Sequence, residues 1–450
     1  MSPKAYIQTY GCQMNEHDSQ RMTGVLEDLG YAYAASPEEA SLIVLNTCSV
    51  RHNPENKVYS RLGALRGLKA ANPKLIIAVG GCVAQQAGRR ILDREPTVDL
   101  VFGPDNLFRL PELLEAVGRG ERPCETGWLP RERKIQNFIP EEWVERGHVD
   151  GVKAYIAITK GCNNLCSFCI VPYTRGREVS REPENILREA DSLIRDGARE
   201  IWLLGQNVNS YEAADGYRFY QLLDALSQRD GLLRIRFTSP HPKDWDNALS
   251  DLMASRKRIC KQLHLPFQAG SDRILSLMRR RHTLEEYLDK LRYLKSVAPG
   301  VGISTDLIVG FPTESDADFA RTLEALEEVR FSQVFAFKYS PRPGTAAAKM
   351  EDDVPRAVKE ARLAQVIEVQ NRINEEELRA CQGTVQEVLI DGVHAREPGL
   401  MNGRADNYRP ISVRGRDFTI GDLVPVRVTG HRGHWLEGER IEEDHPCRSQ

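Results

Sequence analysis

The stretch TKGCNNLCSFCIVPYTRG sets three cysteines, Cys162, Cys166 and Cys169, within eight residues. Three and then two residues separate them, so one tight loop can aim three thiolates at one small volume. Iron–sulfur clusters are held by such thiolates. Three ligands on a 4Fe–4S cube leave the fourth iron without a protein ligand, and that iron can chelate the amino and carboxylate groups of a small molecule. The plainer alternative is a loop of buried or zinc-binding thiols. A structural zinc site, however, takes four protein ligands, and this loop offers three.

Three more cysteines stand alone: Cys12, Cys48 and Cys82. Each lies at or just past the carboxyl end of a β-rich run, KAYIQTYG, SLIVLNTCSV and KLIIAVGGCVA. These runs alternate with segments that can form helices, which predicts an open parallel α/β sheet over 1–120. Sheets of that kind bind ligands at the carboxyl ends of their strands. Three loops distant in sequence can therefore converge three thiols, the donor set for a second 4Fe–4S cluster. Isolated cysteines are otherwise ordinary core residues. The other four, Cys124, Cys260, Cys381 and Cys447, match no such pattern and read as ordinary thiols.

The rest of the chain must position these loops. A Pro-, Arg- and Glu-rich stretch over 121–147 reads as a linker. Six strand-then-helix units follow over 148–378, from KAYIAITK to SQVFAFKYS. A closed eight-stranded barrel needs two more, so the pattern predicts a partial (βα)6 barrel, with the three-cysteine loop directly after its first strand. Over 379–442, short β-rich runs broken by Gly and Asp predict a small antiparallel β-barrel, OB-like, followed by a tail over 443–450.

The formal net charge of −3 on 450 residues excludes a general polyanion binder, so any nucleic-acid contact rests on a local basic surface. No apolar run reaches the ~18 residues of a membrane span. The start, MSPKAYIQTYGCQMN, lacks a basic segment followed by an apolar one, so the protein is expected in the cytoplasm, away from membranes. There, ten cysteines favour metal ligation over disulfides.

Cys162-x-x-x-Cys166-x-Phe168-Cys169 resembles the signature of the radical S-adenosylmethionine (SAM) superfamily. That resemblance implies a partial barrel whose cluster binds SAM and, with one electron, cleaves it to methionine and a 5′-deoxyadenosyl radical. YGCQMNEHDS, VLNTCSVR and VGGCVAQQ closely resemble the N-terminal domain of the methylthiotransferase family. VPYTRGREVSR, LLGQNVNSY, LHLPFQAGSDRIL and TDLIVGFP extend the resemblance over nearly all of 1–440, and the third region resembles the family's TRAM domain, a small RNA-binding barrel. GCQMNEHDS, NTCSVR and GRADNYRPISV look like the MiaB-type branch. Membership there implies methylthiolation of C2 of N6-isopentenyladenosine at position 37 of tRNA. It also implies two 4Fe–4S clusters and two SAM per turnover, one methylating sulfur at the auxiliary cluster and one giving the radical that takes hydrogen from the substrate. The implied partners are the tRNA anticodon loop, an electron donor such as flavodoxin or ferredoxin, and a sulfur donor. Rival readings are a methylthiotransferase for N6-threonylcarbamoyladenosine or for a ribosomal-protein aspartate, and a non-catalytic iron–sulfur protein that binds RNA or senses.

The resemblance assigns Cys162, Cys166 and Cys169 to the SAM-cleaving cluster and Cys12, Cys48 and Cys82 to the auxiliary one. Phe168, beside the last loop cysteine, and Gln206, Ser239, Gln268 and Asp306, each near the carboxyl end of an expected barrel strand, are the SAM-binding candidates. Capping a turn is the ordinary alternative for such polar residues. The RNA candidates are Tyr173 and Arg175 after the loop, and Arg404, Arg409, Arg414, Arg416 and Trp435 in the third region, with Tyr408 and Phe418 as further stacking faces. Arginine forks suit phosphates and aromatic faces suit splayed bases.

Overall fold

A computed structural model describes residues 2–49, 54–129, 135–415 and 417–441. Arg416 and the tail over 443–450 lie outside the described residues. The first six strands are β1 (Lys4–Thr9), β2 (Ala32–Tyr33), β3 (Leu42–Thr47), β4 (Ile76–Gly81), β5 (Leu100–Phe102) and β6 (Cys124–Glu125). They form one parallel sheet in the order β2-β1-β3-β4-β5-β6. The strand β3, LIVLNT, is buried throughout, as a strand covered on both faces must be. Helices α1 (Gln13–Asp28), α2 (Pro54–Ala71), α3 (Cys82–Ala87), α4 (Arg89–Arg94) and α5 (Leu110–Gly118) supply that cover. Met22, Val25, Leu110 and Leu113 of α1 and α5 pack on one face, and Val58, Leu62, Val83 and Ile91 of α2, α3 and α4 on the other.

The stretch over 121–147, expected as a linker, contributes the edge strand β6 and buries Ile139 and Val144. Its apolar residues stand singly or in pairs among polar and charged ones, so no periodicity reveals them.

The central region contains β7 (Val149–Asp150), β8 (Lys153–Ala157), β9 (Thr159–Lys160), helix α6 (Val171–Thr174), β10 (Val179–Ser180) and helix α7 (Pro183–Arg195). Strands β11 (Glu200–Leu204), β12 (Arg234–Phe237), β13 (Gln262–His264), β14 (Gly302–Val309) and β15 (Gln333–Lys338) follow. β8, β11 and β12 pair in parallel, as do β13, β14 and β15, and one parallel bridge from Ile235 to Ile259 links the two sets. The outer edge of β8 pairs antiparallel with β7, so the six parallel strands form an open, partial (βα)6 barrel. Ile156, Ile201, Leu203, Ile235, Phe237, Ile303 and Leu307 pack under the helices in the largest core. Strand alternation turns their neighbours Tyr155, Trp202, Arg236 and Asp306 to the inner face.

Strands β16 (Val385–Val393), β17 (Leu400–Ala405), β18 (Pro410–Arg414), β19 (Leu423–Arg432) and β20 (Trp435–Arg440) close a barrel in the order β16-β17-β18-β20-β19. All pairings are antiparallel except β18 with β20, which is parallel. The small, mainly antiparallel barrel expected here is present, and its one parallel pair follows from parity: directions cannot alternate all the way around a ring of five strands. The turn after β17 docks at the amino-terminal end of the central strands. There Arg236 donates to the carbonyls of Asp406 at 2.8 Å and Ala405 at 3.1 Å, and Arg234 to those of Arg404 at 2.6 Å and Glu387 at 2.8 Å. Among the described residues no helix is long and apolar enough to cross a membrane.

Candidate functional site

Strand order reverses between β1 and β3, which makes that crevice the topological switch point where open α/β sheets take ligands. Cys12 follows β1, Cys48 follows β3, and Cys82 opens α3 directly after β4. Two glycines permit their approach. Gly11 has φ +126°, and a Cβ there would lie 2.4 Å from the Cβ of Cys48. Gly81 has φ +90°, and a Cβ there would lie 2.4 Å from the Thr47 carbonyl oxygen. Asn15 laces the loops together, donating from Nδ2 to Asn46 Oδ1 at 3.1 Å and to the Thr47 carbonyl at 3.0 Å. Its Oδ1 accepts from the Cys12 thiol at 3.5 Å. A hydrogen bond with the Cys48 thiol, then burial, pushes the Cys12 thiol well above its ordinary range.

The second thiol set hangs from the end of β8. Antiparallel pairing of β9 with β10 clamps the base of the loop. Inside it, the Cys162 amide donates to the Gly176 carbonyl at 3.1 Å and the Cys169 amide to the Cys166 carbonyl at 3.0 Å. Gln206 Oε1 accepts from the Gly161 amide at 2.5 Å, so this SAM candidate spends its carbonyl on holding the loop. Ser167 donates from its amide to Met278 at 3.0 Å and from Oγ to Leu277 at 2.8 Å. Phe168 packs against the small core cluster that includes Ala269, Ile274, Met278 and Phe311. Burial pushes the Cys162 thiol up to about 11 and the Cys169 thiol up to about 12. Metal binding to thiols so placed must release protons. Among the described residues, no group of three or more His, Cys, Asp or Glu side chains is arranged to hold a single metal ion.

Among the described residues, each thiol set has one buried arginine donating to a sulfur. Arg280 donates from Nη1 to Cys166 Sγ at 3.5 Å and from Nη2 to the Pro266 carbonyl at 2.5 Å. Its neighbours Arg279 and Arg281 both hold φ +58°, a left-handed conformation that non-glycine residues adopt at a cost. Arg175 donates from Nε to Cys82 Sγ at 3.3 Å, and its Nη1 lies 2.7 Å from Asp18 Oδ2. Burial alone would raise the Asp18 carboxyl, but Arg175 and then His17 outweigh it and hold it at about 2. Arg175 is only 3% exposed, which overturns its expected place on an RNA-facing surface. Its partners Asp18 and Cys82 are too remote in sequence for the motif to reveal them.

Ser239 and Gln268 follow β12 and β13 with φ +59° and +74°. The Gln268 amide donates to the Asp306 carbonyl at 3.0 Å. Asp306 sits within β14, three residues before its last, and its Oδ2 lies 3.5 Å from His264 Nε2. Tyr173 is exposed, as are Arg414 and Trp435 on the small barrel. Arg404 and Arg409, expected to face RNA, turn to protein partners instead. Arg404 covers the Tyr408 ring at 4.5 Å and lies 3.4 Å from Asp391, while Arg409 lies 3.7 Å from Glu377. Tyr408 meets Trp202 edge-on at 5.1 Å and sits under Arg236. The turn that carries it docks on the central barrel, which removes its ring from any base.

Sequence reasoning passed over Arg280, Asp18 and His264. MRRRH reads as a solvated basic run, and only the fold shows that its middle arginine points inward. His282, two residues on, has its Nδ1 3.1 Å from the Arg280 carbonyl, and burial with the nearby Arg280 charge holds its pKa down at about 4. The unfolded chain, with an ordinary histidine value of about 6.5, therefore takes up this proton first as pH falls. Stability is complete above about pH 6.5 and is lost as pH falls toward 4, by about 2 kcal/mol between pH 7 and pH 5. Thermal melts of His282→Asn should show that much less acid dependence over this window.

The fold and the three-cysteine loop define a radical SAM protein with two accessory domains. A family model described as Radical SAM superfamily matches residues 156–326, one described as Uncharacterized protein family UPF0004 matches 4–103, and one described as TRAM domain matches 379–441. The tRNA-2-methylthio-N(6)-dimethylallyladenosine synthase of Pelotomaculum thermopropionicum is 44% identical over 439 residues, covering 97% of each chain. That of Pseudomonas savastanoi pv. phaseolicola is 43% identical over 452 residues, covering 98% of this chain and 100% of its own. The chain belongs to the tRNA-2-methylthio-N(6)-dimethylallyladenosine synthase family. Among solved structures, the radical SAM methyltransferase TsrM from Kitasatospora setae, with cobalamin and a 4Fe–4S cluster bound, aligns at TM-score 0.55 and 15% identity, covering 91% of this chain and 82% of that one. At that identity the likeness is one of fold.

Proposed function

We propose that this protein methylthiolates C2 of N6-isopentenyladenosine at position 37 of tRNA, with SAM as methyl donor and radical source and two 4Fe–4S clusters as cofactors. The observation that carries the reading is a contact between the segments that bear the two thiol sets: Arg175, six positions after Cys169, donates to Cys82 Sγ at 3.3 Å and pairs with Asp18 at 2.7 Å. Cys162, Cys166 and Cys169 would hold one cluster and Cys12, Cys48 and Cys82 the other. Three thiols each, with an arginine donor on one sulfur, suit an anionic group that spreads its bonds over several metal atoms better than a single ion. When bound, the clusters supply one-electron cleavage of SAM and a site for sulfur. The C2 hydrogen of adenine is not acidic, which is why no side-chain base is needed here.

The remaining work falls to the chain. Gln206 and Ser167 fix the loop, and Arg280 balances charge at Cys166. Ser239, Gln268 and Asp306 offer polar groups on the inner face for the amine, carboxylate and ribose of SAM, two molecules of which are used per turnover. Arg414 and Trp435 meet phosphate and base on the RNA, and Tyr173 stands beside the loop. Flavodoxin or ferredoxin supplies electrons, a separate donor supplies sulfur, and the reaction takes place in the cytoplasm.

Anaerobic incubation of the reconstituted, reduced protein with SAM and tRNA carrying N6-isopentenyladenosine tests this. Nucleoside mass spectrometry should find the 2-methylthio derivative, and tRNA carrying N6-threonylcarbamoyladenosine should stay unmodified. Release of 5′-deoxyadenosine with the nucleoside unchanged would refute the substrate, and absence of both would refute the enzyme reading.

A further inference from the structure

Arg175 belongs to the central domain, six positions after Cys169, yet its side chain ends in the N-terminal domain. The three nitrogens of its guanidinium are divided. Nε donates to Cys82 Sγ at 3.3 Å, and Nη1 meets Asp18 Oδ2 at 2.7 Å. Nη2 is buried and has no hydrogen-bond partner among the described residues. Asp18 lies on α1, two turns past Cys12, with its other oxygen 3.7 Å from His17 Nδ1. A buried guanidinium is kept only where it is paired, and one carboxylate with one thiol leaves the N–H donors of Nη2 over. A lysine ammonium could not divide itself in this fixed, planar way.

We propose that Arg175 is a positioning residue for the metal centre of the N-terminal domain. It brings a fixed positive charge and a hydrogen bond to Cys82, keeps Nη2 for the group that the three thiols hold, and ties that centre to the loop of the other. The inference rests on the reading that Cys12, Cys48 and Cys82 hold an iron–sulfur cluster. Hydrogen bonds to cluster sulfurs and nearby net charge set reduction potentials, and such supporting residues are part of a metal site's design. A positive charge favours the reduced, more negative state, so removing it lowers the potential.

The test uses the full chain with Cys162, Cys166 and Cys169 replaced by Ala, so that only the N-terminal centre loads. Arg175, Arg175→Lys and Arg175→Met versions are reconstituted anaerobically, assayed for iron, and titrated electrochemically with electron paramagnetic resonance as the readout. Arg175→Met should hold the same iron but show about a tenfold lower reduced-to-oxidised ratio at a fixed potential, a midpoint shift of about 59 mV for one electron. Arg175→Lys should fall between, with an altered spectrum. Unchanged midpoint and spectrum in a loaded Arg175→Met overturn the proposal. If Arg175→Met does not load, a loaded Arg175→Lys decides by the same two readouts. Failure of both to load, beside a loaded Arg175 protein with matching thermal melts, supports the positioning role. No iron in the Arg175 protein itself instead refutes the second cluster, which is a separate result.

Discussion

Glu189→Ala should cost about 3–5 kcal/mol of stability and loosen the N-terminal domain from the central barrel. Glu189 lies on α7, 0% exposed. One of its oxygens accepts from Arg181 Nη1 at 2.6 Å and the other from Arg21 Nη2. Arg21 belongs to α1 of the first domain and also donates to the carbonyls of Trp143 at 2.6 Å and Arg146 at 3.0 Å. One carboxylate thus neutralises two buried guanidinium groups across a domain boundary. Its removal leaves both charged and buried, and the penalty is theirs more than the lost pair's. Glu189→Gln keeps an acceptor but no charge and should fall between. Adding Arg21→Ala to Glu189→Ala should cost less than the sum of the two, because the second change removes a cation that the first left unpaired. Denaturant melts measure all three, and a loss under about 1 kcal/mol for Glu189→Ala would contradict the account.

The second large effect separates the two thiol sets. With Cys12, Cys48 and Cys82 all replaced by Ala, the protein should still release 5′-deoxyadenosine from SAM but make no methylthiolated nucleoside. With Cys162, Cys166 and Cys169 replaced, both should vanish. The difference follows from position: the loop set lies at the carboxyl end of β8 in the barrel, while the other set lies at the switch point of a separate sheet. Chromatography of the nucleoside products reads both outcomes. Sulfur insertion by the first variant would dismiss the N-terminal set from the reaction.

The fold and the two candidate thiol sets are largely legible in the sequence. The loop Cys162–Cys169 is local, so its spacing alone carries its geometry. Cys12, Cys48 and Cys82 were legible because each follows a β-rich run, and strand ends are where open sheets gather ligands. Six strand-then-helix units count correctly because hydrophobic alternation is a local signal. The residues that surround the thiols were not legible. Arg175 and Asp18 are paired across 157 positions and two domains, and neither stands out in its own segment. Arg404, Arg409 and Tyr408 looked like an RNA face because composition cannot tell a solvated arginine from one that pairs with Asp391 or Glu377. The stretch over 121–147 hid its edge strand because two residues make no periodicity.

Counting iron and acid-labile sulfide after anaerobic reconstitution decides whether one chain holds two separate clusters. The expected result is about eight irons and eight sulfides per chain, two cubes of four, and about four of each when either cysteine set is replaced by Ala. About four irons in the intact protein, or an undiminished count after replacing Cys12, Cys48 and Cys82, would contradict it.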